Sequence, residues 1–370
     1  MSVKIYVMTH KTFCPPADKI YVPLHVGREG KEDLGYQGDH TGDNISYKNC
    51  YYSELTGLYW VARNVSDADY LGLCHYRRYF LKEDGSLLDE NFCEKILGEY
   101  DVILAKAVYH PKSYYEVYKE AHNIQDLQVT GQVLRELYPD IYSVFEEIIA
   151  GTKVYSGNMF ITSRKLFAEY AQWLFSIFDV VEQRIHPDDY DAYHRRVYGF
   201  LSEQLLYVWV KSRGLKIYEA SVGLTQEKAE TIELKEILKR ELATGTQEGV
   251  QRALTAFRSA MKERPDLMLA GSDLTGELAD MFRVLYVCEQ ELLAGEKGML
   301  AITKDLQMLV KHFRLLCSIA GRISSGEASA QEVSYYKDSR ISESLLQIIL
   351  NTNPHLRGAE EVLRSARGSF

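Results

Sequence analysis

Short β-rich runs alternate with helical periodicity as far as about residue 225, and beyond that point the signals are helical almost throughout. Such alternation is what an α/β layer requires, because each strand must be followed by an element that covers the sheet. A continuous helical series buries its apolar stripes against one another in a bundle. The chain is therefore expected to hold an α/β domain at 1–225 and a separate all-α domain at 226–370. Residue usage changes at the same place: 24 of the 27 tyrosines, with Trp60, Trp173 and Trp209, precede residue 226. At 370 residues the chain also exceeds what one hydrophobic core usually organises.

Within the first region, Ile5–Met8 is apolar and β-rich, and Leu55, Leu58, Tyr59 and Ala62 fall at helical spacing inside Tyr51–Asn64. Tyr70–Tyr76 reads as the next strand, opening the run YLGLCHYRRYF (70–80), and Asp101–Ala105 as another. Helix is expected over Tyr114–Ile149 with a break near Pro139, and over Lys165–Arg184 and Phe200–Ser212. Val154–Thr162 reads as a strand whose interior Gly157 signals a bulge or a ligand's close approach. His186–Tyr198 is polar, aromatic and loop-like, and Leu215–Glu219 is expected to be a last strand. In the second region, breaks at Pro265, Gly295–Gly298 and Gly321–Gly326 separate the helices.

Composition excludes several classes of function. A formal charge of −9 and an isoelectric point near 5.7 argue against a broad footprint on nucleic acid. The start, MSVKIYVMTHKTF, lacks a secretion signal, and no apolar run approaches a membrane span, so any membrane association is expected to be peripheral. Six cysteines without a CxxC pair suggest reduced thiols in a cytoplasmic protein rather than zinc or disulfides.

Two basic clusters stand at expected strand ends: Thr9-His10-Lys11, and His75-Tyr76-Arg77-Arg78. In open α/β sheets ligands bind outside the carboxyl ends of strands. If the two strands are neighbours, both clusters face one crevice, where arginine's planar fork suits phosphate oxygens and the histidine supplies a further hydrogen bond or a proton. A nucleoside diphosphate is the ligand this chemistry favours. The bland alternative pairs Arg77 and Arg78 with Asp67, Asp69 or Glu54. No glycine-rich phosphate loop follows Ile5–Met8, which weighs against ATPase, kinase, nucleotidyltransferase and dinucleotide chemistry. Asp67-Ala68-Asp69 has a DxD spelling but precedes its strand, which favours a turn or capping role over a metal site.

The segments GDNIS (42–46), SELTGLYWVARN (53–64), YLGLCHYRRYF (70–80), SGNMFI (156–161) and VYGFLSEQLLYVWV (197–210) resemble the capsular polysaccharide synthesis proteins catalogued as DUF4422. That family is regarded as bacterial glycosyltransferases of the GT-A type, with a Rossmann-like nucleotide-binding fold. The resemblance covers roughly residues 3–225. It implies a nucleotide-sugar donor, a UDP-sugar of the galactose or galactofuranose kind, and a growing capsular or lipid-linked surface glycan as acceptor.

Donor binding is expected from Thr9, His10, Lys11, His75, Arg77 and Arg78 at the strand ends and from Asp43 and Asn44 in the GDNIS turn; laid on a GT-A scheme, the strand ending in His75-Tyr76-Arg77 takes the place where metal-dependent members carry their DxD. Protein cations then replace a divalent metal (Mn2+ or Mg2+) at the leaving diphosphate, though the metal stays open as an alternative. Glu203, in LSEQLL, is the expected catalytic base, with Asp189 in the HPDDYDAYHRRVYG loop as its rival beside Asp188 and Asp191, and His75 assisting. Gly157, Asn158 and Tyr198 are expected to receive the sugar and the acceptor. A non-catalytic sugar-nucleotide sensor or assembly scaffold is the alternative reading. In the helical region Lys304, Lys311, His312 and Arg314 flank an apolar stripe that would either rest on anionic lipid at the inner membrane face or form a bundle core. A partner or a second copy of the chain are other expected companions of this region.

Overall fold

The computed structural model describes residues 2–269 and 271–368. The chain divides into two compact units, Met1–Thr225 and Gln226–Phe370.

The first unit holds strands β1 (Val3–Thr9), β2 (Tyr21–His25), β3 (Gln37–Gly38), β4 (Tyr70–His75), β5 (Arg78–Leu81), β6 (Val102–Ala105), β7 (Val108–Tyr109), β8 (Lys153–Val154), β9 (Phe160–Ser163) and β10 (Ile217–Leu224). Its helices are α1 (Asn49–Tyr52), α2 (Leu55–Asn64), α3 (Glu90–Leu97), α4 (Tyr114–Ala121), α5 (Ile124–Leu137), α6 (Pro139–Ala150), α7 (Arg164–Val181) and α8 (Val197–Ser212). β3, β2, β1 and β4 run side by side and parallel. β4 then pairs with antiparallel β9, which is followed by β6, β10 and β5. β5 returns to β4 through the single pair His75↔Arg78, so the strands from β4 onward close on themselves.

Period-two alternation sorts the strands between two cores. Tyr6, Met8, Leu71, Leu73, Val102 and Leu104 face α2, α5, α7 and α8, whereas Val3, Ile5, Val7, Cys74, Ile103 and Ala105 face α3. Both faces are covered, which explains the almost continuous apolar runs. α2 sits close on the strand ends because Gly57 has no side chain: a Cβ there would lie 2.5 Å from the Met8 sulfur. α8 is apolar nearly all round, with Leu201, Leu205, Val208 and Trp209 all buried, as a central helix must be.

Several expectations need correction. YLGLCHYRRYF is a hairpin: β4 ends at His75, Tyr76-Arg77 turns, and β5 follows. Val154–Thr162 is broken into β8, a loop over 155–159, and β9, because Gly157 (φ +87°) and Asn158 (φ +49°) leave the extended region. β2 escaped notice, its Pro23 breaking the strand signal. Asp67 pairs with Lys4 (2.6 Å) and Asp69 accepts from the Ser2 amide (2.8 Å), which pins the start of β1 to the start of β4.

The second unit comprises α9 (Ala229–Ala243), α10 (Gln247–Glu263), α11 (Glu277–Leu293), α12 (Gly298–Ile302), α13 (Leu306–Ser325), α14 (Ala330–Asp338), α15 (Glu343–Thr352) and α16 (Glu360–Ala366). Its core joins Leu238, Leu254, Met281, Leu285, Phe313, Leu316, Tyr336 and Ile349. Two further breaks carry no glycine or proline signal of their own: Asp305 caps α13 and Ser342 caps α15, which separates each from the helix before it. Buried Lys235 is satisfied by Asp273 (2.6 Å) and Glu227 (2.8 Å), the pairing a buried cation requires. Among the described residues no helix is long and apolar enough to cross a membrane.

Candidate active site

Because β1 and β4 are adjacent and parallel, with Met8 opposite His75, the two basic clusters do end at one edge of the sheet. The His10 ring stands edge-on to Tyr76 at 5.5 Å. Thr9 is buried and folds its hydroxyl onto the backbone carbonyl of Lys11 (2.5 Å), so it shapes this turn rather than facing a ligand. Lys11 is exposed. Arg77, only 8% exposed, packs over the Tyr76 ring, and its carbonyl accepts from Thr225.

Next to this edge, the 155–159 loop gathers the groups able to do chemistry. The Gly157 amide donates to Glu203 Oε1 (2.9 Å), and the Gly157 carbonyl accepts from His75 Nε2 (2.6 Å). A carbonyl only accepts, so His75 carries its proton on Nε2. Asn158, buried at 3% exposure, donates from Nδ2 to Glu54 Oε1 (2.6 Å) and to the Gly199 carbonyl (3.1 Å), and accepts at Oδ1 from Ser202 (2.9 Å). One asparagine thus ties the loop to the first turns of both α2 and α8. Arg78 lies alongside: a Cβ at Gly157 would meet its Nη1 at 3.1 Å. On the other side Arg196 donates to Ser53 (3.0 Å), a residue held at φ +52°. Ser53 and Asn158, both non-glycine residues at positive φ, both border Gly199 in α8's first turn, and such strain concentrates at functional sites.

The local electrostatics separate the roles. Burial lifts the Glu203 carboxyl from 4.5 to about 7, helped by the Glu54 charge and opposed by the Gly157 amide, Arg78 and Arg196. Burial pushes His75 below its ordinary value, with Arg78 and Arg77 acting the same way against Glu54. His75 is therefore neutral and bound to the loop. Two carboxylates of unlike environment, two arginines and a neutral histidine together suit proton abstraction beside a developing anion.

Other expected site residues lie elsewhere. Asp43 is held by Tyr59 (3.0 Å), and its amide by Asn64, at the far end of α2. With 1.5 Å of rise per residue that is about 15 Å from Glu54, and Asn44 turns back on Gly42 and Ser46. Tyr198 is 2% exposed and stacked on Tyr52 at 4.3 Å, so it is core and presents no face to an acceptor. Asp189 is exposed in the 3₁₀ turn Pro187–Asp189. Glu54 was missed as a site residue. It heads α2 but makes no side-chain cap, and the sequence signal, a glutamate before an apolar helix, reads as a cap. Among the described residues no three His, Cys, Asp or Glu side chains converge as a metal site.

Residues 4–214 match the family described as Domain of unknown function (DUF4422). The chain is also similar to a solved structure of the WbbM bifunctional glycosyltransferase in its apo form, at 31% identity and a TM-score of 0.56. That similarity covers 61% of this chain and 46% of the other, so this chain spans less than half of that protein's length. Among curated proteins none matches the chain.

Proposed function

Since the chain belongs to the DUF4422 family through residues 4–214, we propose that its first unit is a GT-A-like glycosyltransferase moving a sugar from a nucleotide sugar, a UDP-sugar, to a surface-glycan acceptor. The observation that carries this reading is the Glu203 carboxylate, oriented by the Gly157 amide and lifted to about 7 between Arg78 and Arg196. The similarity to WbbM supports the class of reaction.

In this mechanism the acceptor oxygen attacks the anomeric carbon as its proton passes to Glu203. The bond from that carbon to the diphosphate oxygen breaks, and the electron pair leaves with the diphosphate. Arg78, with Lys11 and His10 at the same strand edge, stabilises the departing charge. A carboxyl titrating near 7 is matched to accepting a proton at neutral pH. Asn158 and His75 hold the loop that orients Glu203. Where metal-dependent GT-A members carry an acidic pair after β4, this chain has Tyr76-Arg77, and those side chains do not fit a divalent cation.

Acceptor-dependent release of UDP from a UDP-sugar panel is the test. Turnover is expected to persist in excess EDTA and to fall at least 100-fold in Glu203→Gln. Binding without turnover, in the presence of competent acceptor extract, would mark a scaffold instead.

A further inference from the structure

The loop between α7 and α8 is bound down on four sides. Tyr51 hydroxyl donates to Asp188, Tyr190 bridges Asp126 (2.9 Å) and Asn123 (2.7 Å), His194 meets the Ala121 carbonyl (3.0 Å), and Arg196 reaches Ser53. Tyr193 of this fixed loop joins an aromatic wall with Phe200 and His122. Phe200, one helical turn before Glu203 on α8, stacks on His122 at 4.1 Å and lies 5.1 Å from Tyr193. All three rings are half-buried. The Arg196 guanidinium sits 5.5 Å from Phe200 and 6.0 Å from Tyr193. Residues three apart share a helix face, so wall and carboxylate lie on the same side of α8.

The two arginines are the second observation. Among the described residues neither Arg195 nor Arg196 forms an ion pair. Arg195 spends its Nη2 on the Asp188 carbonyl (3.0 Å), and its Nε is buried without a hydrogen-bond partner. Two permanent cations held in place, Arg195 with an unused donor and Arg196 over aromatic rings, suit a ligand that offers both an apolar ring face and negative charge.

We propose that Tyr193, Phe200 and His122, with Arg195 and Arg196, form the acceptor subsite, and that it takes a saccharide carrying an anionic substituent. This rests on the glycosyl-transfer reading above. The C–H face of the sugar packs on the wall, the anion meets the arginines, and a ring hydroxyl points to Glu203. Tyr198, the tyrosine that the sequence suggested for this task, is in the core; Tyr193, five residues earlier, takes it over.

The test is saturation-transfer NMR on the full chain with UDP at saturation, so that the donor cations are already engaged. Glucose, glucuronate and glucose 1-phosphate are the probes. Ring-proton saturation is expected for the anionic sugars, with glucose at least fivefold weaker. The stronger of glucuronate and glucose 1-phosphate identifies the anion as carboxylate or phosphate. Tyr193→Ala and Arg196→Gln should each weaken that binding about tenfold, and in Tyr193→Ala the UDP Kd should stay within twofold, which also shows that this variant is folded. Equal binding of glucose, or anionic sugars bound unchanged by both variants, overturns the subsite and leaves the donor reading standing. Wild-type protein that binds no UDP strikes at the donor reading instead, while the sugar arms still decide the wall.

Discussion

At the scale of single residues, Glu203 makes a prediction whose sign can be worked out. Its carboxyl titrates at about 7 in the folded chain against an ordinary 4.5, so between those values the native state holds a proton that the unfolded state has lost. Stability therefore falls as pH rises through this window and is fully retained below it. Glu203→Gln removes the dependence. Its melting temperature relative to the parent should climb between pH 4.5 and 7 and level off above, as followed by thermal denaturation across pH. Transfer by the parent should show an acid limb near 7 in kcat/KM, and a flat profile there would discard Glu203 as the base. The arginine pair splits in the same concrete way. Arg78 faces Gly157 and Glu203, whereas Arg77 is buried at the hairpin turn. Arg78→Ala should weaken UDP binding roughly 10- to 100-fold, since a charge-assisted hydrogen bond contributes about 1.5–3 kcal/mol. Arg77→Ala should mainly lower the melting temperature. Isothermal titration beside a melt separates the two.

At the scale of elements, the 155–159 loop is what turns a sheet edge into a site. Gly157 at φ +87° leaves a side chain nowhere to go, because a Cβ there is both strained and pressed on Arg78. Gly157→Ala should cost about 1–3 kcal/mol and weaken UDP binding through the displaced guanidinium, both readable by chemical denaturation and titration. Asn158→Ala removes three hydrogen bonds and strands Glu54, while Ser202 keeps the Gly199 carbonyl as an acceptor. About 2–3 kcal/mol of destabilisation is expected, and turnover should fall further than UDP affinity does, because Glu203 loses its orientation. Neither effect was legible from SGNMFI, which reads as a strand whose glycine signals a bulge or a ligand's close approach and shows none of these long-range partners. The hairpin at Tyr76-Arg77 was hidden for a related reason: the turn contains none of the glycine, asparagine or aspartate that usually signals one. The location of the basic clusters was legible, because strand-end position follows from where an apolar run stops.

For the whole molecule, each unit has its own buried core, and the second draws on α9 to α16 and the turns between them. Residues 226–370 expressed separately should therefore be strongly helical and melt cooperatively by circular dichroism; a non-cooperative melt would mean that they depend on the first unit. The stripe Leu306, Leu309, Val310, Phe313 and Leu316 of α13 packs into that core, leaving Met308, Lys311 and Leu315 outward. The bundle half of the expectation for this stripe is thus accounted for by packing. Liposome flotation remains the measurement for the outward face.

What the sequence determined by itself was local: the change from strand–helix alternation to helices near residue 225, the apolar strands, the cation-rich strand ends, and the five ordered segments that mark the family. These are set by periodicity and by residue type at neighbouring positions, which a linear chain displays directly. Only the tertiary structure decided which of the singled-out residues meet. Asn158 reaches Glu54 across 104 positions and Gly157 reaches Glu203 across 46, while Asp43 and Tyr198, in segments that look equally suitable, are carried away by the direction of α2 and the burial of α8. Long-range approach depends on packing, and burial lifts the Glu203 carboxyl only once the packing exists.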